Sequence, residues 1–94
     1  MARRNYQSRV SANNGTFTVN DTTEKVINFS AIYFPEDTVV ARIEINGDTA
    51  TDVKDDYIST AATAVKAGTL KVVQGDDYFS AITLSSGSCE LVLD

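Results

Sequence analysis

The chain contains no histidine. That removes the commonest general base and metal ligand, and with it every Ser-His and Cys-His nucleophile arrangement. Its carboxylates come in adjacent pairs at Glu36-Asp37, Asp55-Asp56 and Asp76-Asp77. Neighbours on a strand point to opposite faces, so adjacency alone does not build a catalytic dyad. In a turn such a pair could give part of a calcium site, which takes about six to eight oxygens, but no Asp-x-Asp-x-Asp-Gly loop is present. Turn chemistry accounts for Asp at these places, and the pairs read as solvated turn carboxylates. Gly75-Asp76-Asp77 matches the Gly-Asp-Asp of polymerase hairpins, but a chain of 94 residues is far too short for a polymerase. The five glycines are scattered at turn-like positions and form no phosphate-binding loop. The single cysteine, Cys89, excludes an intramolecular disulfide and a Cys-based zinc site. It alternates with Leu91 and Leu93, as a buried core thiol would. The expectation is a protein that is not an enzyme and uses no cofactor or metal.

The sharpest functional signal is at the N-terminus. Arg3, Arg4, Tyr6 and Arg9 fall within nine residues that contain no acid. Residues 1–20 carry +3, whereas residues 21–94 hold five Lys/Arg against thirteen Asp/Glu and carry −8. Residues 1–15 have no period of 2 or 3.6 and end in Asn13-Asn14-Gly15, a turn signal. They read as a basic arm for binding a partner, on a single β-rich domain over 16–94. An acidic body disfavours nucleic acid as the main ligand, because phosphate binding needs a positive surface. The basic arm itself suits an acidic surface, either that of a neighbouring subunit or nucleic acid.

The elements that must carry this arm are strands. Thr16-Phe17-Thr18-Val19 alternates, with Phe17 and Val19 on one face. Lys25 to Tyr33 is apolar and β-prone, and Pro35-Glu36-Asp37 bends the chain. Val39, Ala41, Ile43 and Ile45 alternate with Val40, Arg42, Glu44 and Asn46, so the first set is expected in the core and the second in solvent. Asn46-Gly47-Asp48 is a hairpin signal. Residues 52–67 fit either a helix capped by Asp52 and ended by Gly68, or extended chain. Strands are expected again at Thr69–Val73, Tyr78–Leu84 and Ser88–Leu93, with Lys71 on a solvent or edge face. Turn signals every ~8–12 residues predict an all-β fold: a small sandwich, barrel or β-roll. Phe29-Ser30-Ala31-Ile32 recurs fifty residues later as Phe79-Ser80-Ala81-Ile82. Each copy is followed by a turn and an apolar strand, as a duplicated strand–turn–strand unit would be.

Composition agrees. Hydrophobic residues make up 43% and charged residues 22%, which is ordinary for a globular domain. A domain this small buries a modest core, so association between copies is expected to add stability. No apolar run approaches the ~20 residues of a membrane helix, and no apolar stretch follows the N-terminal arginines as in a secretory signal. Synthesis in the cytoplasm is expected.

Ala67-Gly68-Thr69, Gly75, the run Tyr78-Phe79-Ser80-Ala81-Ile82-Thr83-Leu84-Ser85-Ser86-Gly87-Ser88 and the final apolar strand together resemble a group of small bacteriophage virion proteins. That group shows an Ala-Gly-Thr turn, a short strand, a Phe-Thr-Ser-Ile-Thr-Leu-Thr-Ser-Gly-Ser run and a chain-ending strand. Glu36-Asp37-Thr38-Val39 is similar to a run in the N-terminal half of the same group. The likeness is close over about 25 residues and loose over about 60. Asp76-Asp77 before the aromatic residue and Cys89-Glu90 in place of apolar residues depart from the pattern. The resemblance implies a capsid decoration (cement) protein, bound as a homo-oligomer to a major capsid protein or neighbouring virion protein. A tail or head-fibre adaptor belongs to the same class. A host-surface or carbohydrate-binding module, with Tyr33, Tyr57 or Tyr78 as platform, is the alternative from another class. No catalytic residue comes with the family.

Overall fold

The computed structural model describes residues 15–58 and 64–94. The fold is all-β apart from one helical turn. Its elements are β1 (Thr16–Val19), β2 (Lys25–Phe34), β3 (Val39–Ile45), α1 (Lys54–Tyr57), β4 (Thr69–Val72), β5 (Phe79–Ser86) and β6 (Cys89–Leu93). All strands join one antiparallel sheet in the order β1-β6-β2-β5-β3, with β4 also paired to β2. Strand β2 carries β6 on one edge. Its other edge is shared: Val26 and Phe29 face β5, and Ala31 to Phe34 face β4.

The sheet closes around its own apolar face. Thr38 and Ser88 stand at the starts of β3 and β6, which are three strands apart along the sheet. In a flat sheet that gap would be about 14 Å. Yet the Thr38 hydroxyl donates to the Ser88 carbonyl at 2.8 Å and accepts from the Ser88 N–H at 3.2 Å. The core enclosed by this curl draws Val19, Phe29, Ile32, Phe34, Ile43, Phe79, Ile82, Leu84, Cys89 and Leu91 from five strands. The rings of Phe29 and Phe79, directly opposite on β2 and β5, stack at 5.0 Å.

The repeated tetrapeptide explains the curl. All eight residues of the two Phe-Ser-Ala-Ile copies are buried. In the β2–β6 pair, the step from Leu93 to Val92 spans two residues of β2, which leaves Ser30 as the extra residue of a bulge. In the β3–β5 pair, the step from Ile45 to Glu44 spans two residues of β5, which leaves Ser80 in the same role. Bulges bend and twist the strand that carries them. The partners match too: Ile32 faces Leu91 as Ile82 faces Ile43, and Tyr33 faces Glu90 as Thr83 faces Arg42. The order β6-β2-β5-β3 is thus symmetric about the β2–β5 pair. Neither unit pairs within itself: β3 lies on β5 and β6 lies on β2. The duplicated unit read from the sequence is therefore present, with its second strands exchanged.

Strand β3 departs from strict alternation. Val40 and Ile43 are buried, whereas Ala41 is exposed and Glu44 is buried. The register shift between Val40 and Arg42 leaves Ala41 as an extra residue, and this moves the core-facing phase by one position. Asn46-Gly47 does turn the chain, both residues with positive φ and Asp48 N–H donating to Ile45 O at 2.9 Å. It does not make a two-stranded hairpin. The returning chain meets β3 where Val53 N–H donates to Ile43 O, Ile43 N–H donates to the Asp52 carboxylate and Arg42 Nη2 donates to the Thr49 carbonyl. Between 52 and 58 the helix is a single turn; its N-cap is Val53, and Asp52 accepts from the Lys54 N–H at 2.9 Å. Val65 then bridges to Thr38 as extended chain, and Gly68 sits in the turn before β4.

Cys89 is fully buried, and desolvation together with the nearby Glu90 charge pushes its thiol up to about 12. An unfolded thiol ionises near ~8.5. Between these values the unfolded chain has lost a proton that the folded chain keeps, so stability falls as pH rises above ~8.5. The wild type should lose more stability between pH 7 and pH 10 in urea titrations than Cys89→Ala. A thiol reagent should modify Cys89 only on unfolding.

Candidate interaction surface

Arg3, Arg4, Tyr6 and Arg9 lie outside the described residues, as does residue 59–63 of the segment read as helix or extended chain. What the structure places is the root of the arm. The Gly15 carbonyl accepts from the Leu93 N–H at 2.9 Å, and Gly15 has φ +109°. The arm therefore leaves from the corner where β1 meets β6.

That corner borders an outer sheet face. Antiparallel partners share a face, and β1-β6-β2-β4 line up in two adjacent rows. One row is Thr18, Glu90, Tyr33 and Leu70; the next is Thr16, Val92, Ala31 and Val72. Ile32 and Phe34 point into the core, so Ala31 and Tyr33 point away from it. Tyr33 and Leu70 are 42% and 37% exposed, whereas Ala31 and Val92 in the neighbouring row are buried. Glu90 is the one charge of these rows. It accepts from the Thr18 hydroxyl at 2.6 Å, and no Lys or Arg among the described residues pairs with it.

The equivalent face on the other half of the pseudo-twofold is finished differently. Arg42 and Glu44 stand where Glu90 and Val92 stand here. Arg42 Nε lies 2.9 Å from the buried Glu44 carboxylate, and its Nη2 donates to the Thr49 carbonyl at 2.9 Å. The segment after β3 is thereby held against Arg42. The sequence reading of Arg42 as a wet residue is thus corrected: it is half-buried and its guanidinium is committed.

The other signals resolve as structural. Glu36 accepts from the Ser88 hydroxyl, and Asp37 from the Ala67 N–H, with Lys66 at 3.6 Å. These contacts hold the Asp37 carboxyl below its usual range. Asp77 accepts from the Asn46 side-chain amide. Asp55 and Asp56 are exposed on the helical turn. No group of three or more His, Cys, Asp or Glu among the described residues could hold a metal ion. Tyr57 is half-buried, with its ring edge-on to Phe79 at 5.0 Å and its hydroxyl accepting from the Gln74 N–H. Burial raises its hydroxyl pKa. Tyr78 is also half-buried, which leaves Tyr33 as the exposed member of the three proposed platform tyrosines. Lys71 is half-buried on β4. No helix among the described residues is long and apolar enough to cross a membrane.

The row through Thr18, Glu90, Tyr33 and Leu70 was missed in the sequence. Alternation puts Glu90 opposite Cys89 and Leu91 in facing, but nothing local says that β6 lies between β1 and β2. No protein-family model, curated protein or solved structure matches the chain.

Proposed function

We propose that the chain is a bacteriophage virion structural protein, a non-enzymatic decoration protein that binds the head surface as an oligomer. The observation that carries the reading is the run shared with small virion proteins. Its Ala-Gly-Thr turn precedes β4, its long Ser/Thr/apolar run is β5, and the chain-ending strand is β6. The partner would be the major capsid protein or a neighbouring virion protein, reached by the arm through Arg3, Arg4, Tyr6 and Arg9. Repeated docking at equivalent sites would multiply weak contacts into firm attachment. The exposed Tyr33–Leu70 pair supports a second reading, a module that binds host-surface carbohydrate through Tyr33. Gel densitometry of purified virions separates the possibilities. A decoration protein should be present in high copy number relative to the shell protein. A few copies per particle would indicate an adaptor, and absence from the particle would overturn the reading.

A further inference from the structure

We propose that two copies of the chain pair edge to edge through β1, antiparallel about a twofold axis that passes beside Phe17 and stands normal to the sheet. The proposal deepens the reading as an oligomer by naming its surface, but it rests on β1 alone and not on the virion assignment.

Strand β1 ends the sheet: β6 lies on one side, and no strand lies on the other among the described residues. The ladder fixes which backbone groups face the open side. The Leu93 N–H donates to the Gly15 carbonyl, so Gly15 and Leu93 form a hydrogen-bonded pair. Such pairs alternate along an antiparallel ladder, and the β1–β6 register is regular. Phe17 and Val19 therefore bond to Leu91 and Cys89, while the N–H and C=O of Thr16 and Thr18 aim away from β6. Thr16, Phe17 and Thr18 are all exposed.

The other edges are guarded. Strand β3 bulges at Ala41, its Ile43 carbonyl accepts from the Val53 N–H, and Thr38 and Val65 bond to each other in both directions. Strand β4 carries Lys71. Bulges, covering chain and lysines keep an edge from pairing. Thr16-Phe17-Thr18-Val19 has no charge, no Pro, no Gly and no bulge.

The occupant that fits is β1 of a second copy. With Phe17 opposite its counterpart, Thr16 and Thr18 of one copy stand opposite Thr18 and Thr16 of the other, and each such pair exchanges two hydrogen bonds. Phe17 takes the non-hydrogen-bonded position, where opposed side chains are closest. It lies on the core side of the sheet, opposite Leu91, yet is 38% exposed at the open edge. The second Phe17 ring covers it as a cross-strand aromatic pair. The two Glu90 carboxylates, each one strand further in, end three strand spacings apart, about 14 Å. That is beyond the ~8 Å screening length at physiological salt.

Sedimentation equilibrium of the intact protein over a concentration series, with no particles present, tests this. Wild type should pass from monomer to dimer. Phe17→Lys, verified as folded by circular dichroism, should raise the dissociation constant by about tenfold or more, because it removes the ring pair and sets like charges opposite each other. Cross-linking reads the register. Phe17→Cys puts two thiols at a spacing that suits a disulfide, whereas Val26→Cys, on β2 and 76% exposed, puts them away from β1. With oxidised glutathione as oxidant, Phe17→Cys should form the linked dimer about tenfold faster than Val26→Cys, and buried Cys89 should not react. A wild type that stays monomeric at every concentration, a Phe17→Lys chain that dimerises like wild type, or equal cross-linking of the two cysteine variants would each overturn the proposal. So would a dimer that loosens as salt rises, because β1 is uncharged and screening weakens only charge-borne contacts. A monomer would strike the pairing and leave attachment to virions standing; a dimer of a chain missing from virions would do the reverse.

Discussion

An Ile43→Asp chain should not fold, whereas Ala41→Asp should give a soluble protein with native-like circular dichroism. The two positions sit two residues apart on β3, and simple alternation makes them equivalent. The structure separates them. Ile43 is fully buried in the core opposite Ile82, with its N–H and C=O both bonded to the chain that returns at Asp52 and Val53. Aspartate there loses about 2–3 kcal/mol of apolar burial and strands a carboxylate in the core at a further cost of several kcal/mol. A domain of this size has only about 5–15 kcal/mol in total. Ala41 is the exposed extra residue of a bulge, where surface changes cost about 0.5 kcal/mol or less. Two insoluble variants would restore the regular register and refute the bulge.

Gly87 marks the second large effect. It lies in the turn between β5 and β6 with φ +84°. A Cβ added there would stand 2.5 Å from Thr38 Oγ1 and 2.8 Å from both the Asp37 carbonyl oxygen and Thr38 Cα. Two of these three neighbours are backbone atoms, and the third holds the Thr38–Ser88 bonds that close the sheet. Gly87→Ala therefore meets the left-handed cost of about 1–2 kcal/mol and an overpacking cost of about 1–3 kcal/mol. Gly68 is the control. It has φ +88° but nothing within 4 Å of the added Cβ, so Gly68→Ala should show the backbone cost alone. Urea midpoints measure both. Equal losses would mean that the two turns do not touch at Thr38.

Strand positions were legible because local chemistry sets them. Turn residues at Pro35, Gly47, Gly75 and Gly87 bracket apolar runs, and the observed strands start and stop within one or two residues of those expected. The Phe-Ser-Ala-Ile echo was also visible, and it marks the two bulged strands at the centre of the sheet. Which strands pair was not visible. Exchange of β3 and β6 between the units depends on long-range closure through Thr38 and Ser88, fifty residues apart. Bulges at Ser30, Ala41 and Ser80 depend on the partner's register, so no alternation on a single strand reveals them. For the same reason the arm's charge could be read from the sequence, but the face bordering its root could not.

The measurement that bears most directly on the proposed function is co-sedimentation with phage particles that lack this protein. Full-length chain and a chain lacking residues 1–12 are compared across a salt series. Screening shortens the reach of exposed charges from ~10 Å at 0.1 M to ~3 Å at 1 M salt, and each such contact is worth only ~0–1 kcal/mol. The full chain should pellet with the particles. The truncated chain should stay folded and bind more weakly, and the difference should be widest at low salt and shrink as salt rises. Failure of the full chain to pellet at any salt concentration would contradict a role on the virion. Equal binding of the two chains at every concentration would contradict docking through the arm.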